Sequence, residues 1–151
     1  MDVRRESDVE VVATRTIHGP ARIVFEAFTR PELFQRWWVP KSYGLTLVSC
    51  ELDVRVGGGY RLVFSHQGAE MAFFGKYLEV TPPTRLVWSN DEGEEGAVTT
   101  VTLEEKGGVT ILSVRDVYPS KEALEAGAGS MDAMPETFDQ LEALIATMVT
   151  N

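Results

Sequence analysis

The sequence predicts an α+β fold in which a curved antiparallel sheet of about six to seven strands wraps a long C-terminal helix, with two short helices after the first strand. Three observations predict it. Runs rich in Val, Thr and aromatics, parted by glycine and proline turns, fill residues 44–118; two proline-bounded apolar stripes precede them; and one long amphipathic pattern ends the chain. A meander of that many strands must cover its apolar face, and only the last helix is long enough to do so. Strand twist would then curl the sheet around it.

Each element carries its own signal. Residues 8–18 are rich in Val, Thr and Ile, as a strand prefers, and Gly19-Pro20 ends them. Pro20 suits the first turn of a helix, and Ile23, Val24, Ala27 and Phe28 then recur at spacings of three and four. Thr29 is expected to cap a second short helix opened by Pro31, Glu32 and Leu33, which Pro40 ends because the residue before proline avoids the helical region. Trp37 and Trp38 therefore fall in its last turn.

The stretch LTLVSCELDVRV at 45–56 reads as a strand or a strand broken by a bulge, and glycines 57, 58 and 59 as a tight reversal. Tyr60, Leu62 and Phe64 alternate with Arg61, Val63 and Ser65, the period-two signature of a strand with one covered side. Further strands are expected at 69–80, 86–90, 97–105 and 109–118, divided by the TPPT, DEGEEG and KGG turns. A short helical turn is expected at 121–126. From Ser130 onward, Phe138, Leu141, Leu144, Ile145 and Met148 mark the long helix, with Pro135 tolerated near its start.

A chain of 151 residues suits one domain over 1–151, with residues 1–7 expected as a flexible lead-in. Fourteen basic and twenty-three acidic residues give a net charge of −9, a field that repels phosphate backbones and anionic bilayers. Neither nucleic acid nor membrane is an expected partner. The N-terminus lacks the apolar stretch of a secretory signal, and no run of about eighteen apolar residues exists to span a bilayer. Cys50 is the single cysteine, so no intrachain disulfide can form; this fits a reducing compartment, and the cytoplasm is the expected location.

Catalytic and metal motifs are sparse. His18 and His66 are the only histidines, at spacings that make neither a triad nor, with Cys50, a metal site, so no metal and no cofactor is implied. VGGGY at 56–60 is not a phosphate loop, and DEGEEG lacks calcium-loop spacing. What the sequence does hold is a surplus of aromatic residues on strands: Phe64, Phe73, Trp88, Tyr77 and Tyr118, with Phe73 and Tyr77 sharing one face and Phe74 and Lys76 the other. Adjacent residues on a helix point about 100° apart, so Trp37 and Trp38 cannot share one face. Trp37 is the indole assigned to a pocket wall. Arg61, His66, Glu70 and Asp116 are the polar groups among these strands that could orient a guest.

Several strings resemble the Bet v 1-like, START-related superfamily, in particular the branch similar to the C-terminal domain of the activator of the Hsp90 ATPase. They are RTIHGPARIVFEAFTRPELFQRWW at 15–38, DVRVGGGYRLVF at 53–64, GKYLEVTPPTRLVWS at 75–89 and FDQLEALIATM at 138–148. The resemblance implies a helix-grip fold with a cavity between sheet and helix, used across the superfamily for apolar molecules. Members of this branch often carry Gly-Trp at the start of the last helix; here Met131, Met134 and Phe138 stand there, and the flexible thioethers would let this helix start reshape around different guests.

Three functions follow as expectations. The first is binding of a small apolar molecule between the sheet and the C-terminal helix. The second, from the branch name, is interaction with an Hsp90-type chaperone. The third is a polyketide cyclase or dehydratase, whose chemistry would need Arg61, His66, Glu70 or Asp116 to point inward.

Overall fold

Local rules set the chain's path before packing does. Arg30 precedes Pro31 and is held extended, with φ −102° and ψ 121°, which ends one helix and begins the next at a single residue. The computed structural model describes residues 2–39, 42, 44–91, 96–127 and 134–149. Its elements are β1 (Asp2–Arg5), β2 (Glu10–Ile17), α1 (Ala21–Thr29), α2 (Pro31–Trp37), β3 (Thr46–Leu52), β4 (Gly59–His66), β5 (Ala69–Thr81), β6 (Arg85–Ser89), β7 (Val98–Lys106), β8 (Val109–Val117), α3 (Lys121–Gly127) and α4 (Met134–Val149).

All eight strands pair antiparallel in one sheet, in the order β1-β2-β8-β7-β6-β5-β4-β3. β3 to β8 form the expected meander, and α1 and α2 carry the chain from β2 across to the far edge. The count exceeds the expected six to seven because Asp2–Arg5, within the stretch expected to be a flexible lead-in, pairs with β2 from Thr14 to Val11. Two register breaks, at Leu47/Ser49 in β3 and Tyr77/Glu79 in β5, bend the sheet.

The apolar face of this sheet closes on the helices. Ile23, Val24, Phe25, Ala27 and Phe28 of α1 and Phe138, Leu141, Leu144 and Ile145 of α4 are buried in one core with Leu86, Val101, Leu112 and Val114 of the strands. α4 packs on α1, α2 and β2. At Gly19, a Cβ would come within 2.7 Å of Ile145 Cγ2, so the β2–α1 turn can lie against α4 only with glycine there.

The N-terminus of α1 finds its partner across the fold. Glu105 of β7 accepts the Ala21 N–H at 2.7 Å, placing a carboxylate at the N-terminus of α1. Thr29 does not cap α2 as expected: its hydroxyl donates to Phe25 O at 2.8 Å, inside its own helix, and Arg30 takes the cap position without a side-chain bond.

Candidate functional site

The two adjacent indoles separate at the end of α2. Trp37 is fully buried, and its Nε1–H donates to Ala27 O at 2.9 Å. That carbonyl lies in the last turn of α1, where helix oxygens lack intrahelical donors. Edge-on contacts to Phe28 at 4.8 Å and Phe34 at 5.5 Å close the ring in. Trp38 is half-buried, stacked on Phe34 at 4.8 Å and edge-on to Trp88 of β6 at 6.1 Å. Trp37, the indole assigned to a pocket wall, is instead the one that plugs the corner, because an orphan carbonyl draws its N–H inward, and Trp38 is the one left partly uncovered. From α4, Gln140 Nε2 donates to Trp37 O at 2.9 Å and Val39 O at 2.8 Å, fixing where α2 ends.

Strand register puts a second set of rings opposite Trp38. Paired residues share a face, so Val11, Asp116, Thr99, Trp88 and Tyr77 make one continuous row across β2, β8, β7, β6 and β5 on the side facing the core. Tyr60 leans between Tyr77 at 5.9 Å and Trp88 at 6.3 Å. Two further rows on this face are Cys50, Leu62 and Phe73, and Leu47, Phe64 and Met71. Phe64 meets Phe73 at 5.2 Å. Burial falls along this face: Tyr77 and Trp88 are buried, Leu47, Cys50 and Phe73 are half-buried, and Met71 is exposed. Phe138 is buried beneath α4, and Met134 is half-buried at that helix's start.

Polar groups enter the aromatic row at one place. Tyr60 donates through its hydroxyl, 2.8 Å from Ser89 O and 3.0 Å from Asn90 Oδ1. Asn90 Nδ2 donates to Ala97 O at 2.6 Å and to Thr99 Oγ1 at 3.1 Å, and Thr99 Oγ1 donates in turn to Asp116 Oδ1 at 2.6 Å. Glycine makes this junction possible, since a Cβ on Gly75 would fall 1.8 Å from Ser89 O and one on Gly96 1.7 Å from Asn90 O. Asp116 is half-buried, and burial pushes its carboxyl above the usual range, opposed in part by the Thr99 hydrogen bond. Burial likewise raises the Tyr77 phenol and pushes the Cys50 thiol up to about 11, which leaves little thiolate at neutral pH.

The other expected polar residues lie elsewhere. Arg61 and Glu70 are exposed on rows of the opposite face, Arg61 in register with Glu51 and Phe74, Glu70 with Ser65. His66 is half-buried at the tip of the β4–β5 hairpin. Tyr118 is buried just past β8, and Met131 lies outside the described residues. An open depression of about 680 Å³ at the edge formed by β3, β4 and β5 is lined by Glu51, Arg61 and Phe74 from the back of the sheet and by Leu52, Tyr60 and Gly75 from the row that faces the core. Among the described residues no cluster of His, Cys, Asp and Glu could hold a metal ion, and no helix is long and apolar enough to cross a membrane.

Sequence reasoning missed Trp38, Tyr60, Asn90 and Thr99. Tyr60 was legible, being the first member of the Tyr60, Leu62, Phe64 alternation. Asn90 and Thr99 were not, because a polar residue at a strand end looks like turn chemistry until register places it inward.

The fold has parallels among known proteins. The family described as Activator of Hsp90 ATPase homolog 1-like protein matches residues 18–146. The chain belongs to this family. Among solved structures, this family member is similar to a protein from Nitrosomonas europaea, with 22% identity, a TM-score of 0.87 and coverage of 97% of this chain and 100% of that one. A protein from Rhodobacter sphaeroides shows 24% identity and a TM-score of 0.87, covering 97% of each chain. One from Chromobacterium violaceum shows 26% identity and a TM-score of 0.77, covering 92% of this chain and 98% of that one. No curated protein matches the chain. The structural likeness corroborates the curved Bet v 1-like sheet and its C-terminal helix.

Proposed function

We propose that this member of the Activator of Hsp90 ATPase homolog 1-like family binds a small apolar molecule between the core-facing side of its sheet and α4. The carrying observation is the incomplete burial of apolar side chains that face the core: Trp38, Leu47, Cys50, Phe73 and Met134 pack against it yet are only partly covered, and Met71, in register with buried Phe64, is exposed. Pockets for small molecules are walled in this way, by aromatic and aliphatic groups with a few polar ones among them. Arg61 and Glu70 face away, so of the polar groups a cyclase or dehydratase would need, Asp116 is the one on the core-facing row.

The test is titration with N-phenyl-1-naphthylamine, a fluorophore that brightens in apolar surroundings. Saturable one-to-one binding, displaced by members of a lipid panel and weakened about tenfold by Trp38→Ala, is the expected result. Absence of saturable binding overturns the proposal.

Membership of the family favours a second reading, docking to an Hsp90-type chaperone. Retention of the chaperone on the immobilised chain, competed by free chain, would support it; no retention would remove it.

A further inference from the structure

Asp116 is the one carboxyl in the row that runs from Val11 to Tyr77 along the core-facing side. Its Oδ1 accepts from Thr99, and Oδ2 has no hydrogen bond from any described residue. Every buried side-chain nitrogen or oxygen among the described residues does have a partner, so Oδ2 is not sealed in and opens on accessible space. The nearest cation in the row is Arg5 of β1, two strands from Asp116 beyond Val11, and its guanidinium donates to Ser7 O and Asp8 O instead. β2 offers Val11 and β7 offers Thr99, while on β8 itself Arg115 points to the opposite face and pairs with Glu10. Burial alone raises this carboxyl, with no opposing charge acting on it.

A half-buried carboxyl is costly in its charged form, so it either takes up a proton or draws a cation. Two strands away in the same row, roughly 10 Å across the sheet, stands Trp88, with Tyr60 against it. Aromatic faces attract cations, and a chain carrying −9 draws them toward its surface. A fatty acid headgroup would meet like charge at this place, and a neutral alcohol would leave the carboxyl uncompensated.

We propose that Asp116 is the polar anchor of the interior site, and that its guest is an apolar amine whose protonated nitrogen docks on Oδ2 while its body lies against Trp88 and Tyr60. The Tyr60–Asn90–Thr99 chain of hydrogen bonds holds Oδ1 and so aims Oδ2 at the guest. This rests on the apolar-binding reading given above and names the chemical class of what binds.

Three probes with one alkyl chain separate the two claims: n-octylamine, n-octanol and n-octanoate, titrated calorimetrically at pH 7 and followed by the carboxyl ¹³C resonance of Asp116. Octylamine is expected to bind at least tenfold more tightly than octanol, with octanoate weakest, and to move the Asp116 resonance when octanol does not. In Asp116→Asn, octylamine should fall to the affinity of octanol measured on the same variant. Equal binding of all three probes, or an amine preference that survives Asp116→Asn, overturns the anchor and leaves the apolar site standing. Binding of none of them overturns both. The resonance shift is read on the unaltered chain, so it decides the matter even if the variant does not fold.

Discussion

Trp37 and Trp38 are neighbours in sequence and end on opposite sides of a physical divide. At the corner where α1, α2 and α4 meet, the Trp37 ring touches Phe28 and Phe34 and its single polar atom is spent on Ala27 O. Toward β6, Trp38 keeps part of its surface uncovered next to Trp88, and Phe73, Cys50 and Met134 are half-buried as well. Identical side chains one residue apart thus become a buried plug and a partly uncovered ring. The difference teaches that a helix's last turn can serve both tasks when a carbonyl of the preceding helix claims one indole.

Breaking the plug should have the largest effect. Trp37→Ala leaves a large cavity and an unpaired carbonyl, and should cost about 3–5 kcal/mol in urea unfolding. Gly75→Ala comes next: its methyl would meet Ser89 O, at 1.8 Å in the unrelaxed geometry, so a loss of roughly 1–3 kcal/mol is expected in the same assay. Trp38→Ala should cost only about 1–2 kcal/mol, since the ring is already half in water, yet weaken apolar-probe binding about tenfold. A stability loss for Trp38→Ala equal to that of Trp37→Ala would erase the distinction between corner and rim.

The gentler tests concern titration. Because burial raises the Asp116 carboxyl, its charged form is disfavoured in the folded state. Relative to Asp116→Asn, the natural chain should be most stable below the ordinary carboxylate range and lose ground as pH rises through the elevated value. Paired thermal melts from pH 3 to pH 8 should show that trend, and the reverse slope would contradict it. Cys50, with its thiol pushed up to about 11, should react with iodoacetamide slowly at pH 7, the rate climbing about tenfold per pH unit up to pH 10.

Much of this architecture was legible in the sequence because it depends on short-range rules. Proline at 31 fixed the joint between α1 and α2, period-two alternation marked β4, and the Phe138, Leu141, Ile145 stripe marked α4. β1 was not legible, since DVRR has no alternation of its own and becomes a strand only beside β2. The site was harder still. Which indole turned inward depended on a carbonyl ten residues upstream, and the inward placement of Asp116 depended on its registers with Val11 and Thr99. Spacing along the chain carries neither fact.

One spectrum tests the central claim most directly. The three tryptophans give three indole Nε1–H signals, and titration with octanol should shift those of Trp38 and Trp88 saturably while leaving the hydrogen-bonded Trp37 signal in place. If all three stay still at saturating probe, or the shifts gather instead on the back of the sheet around Arg61 and Phe74, the interior between β3–β6 and α4 is not where an apolar guest binds.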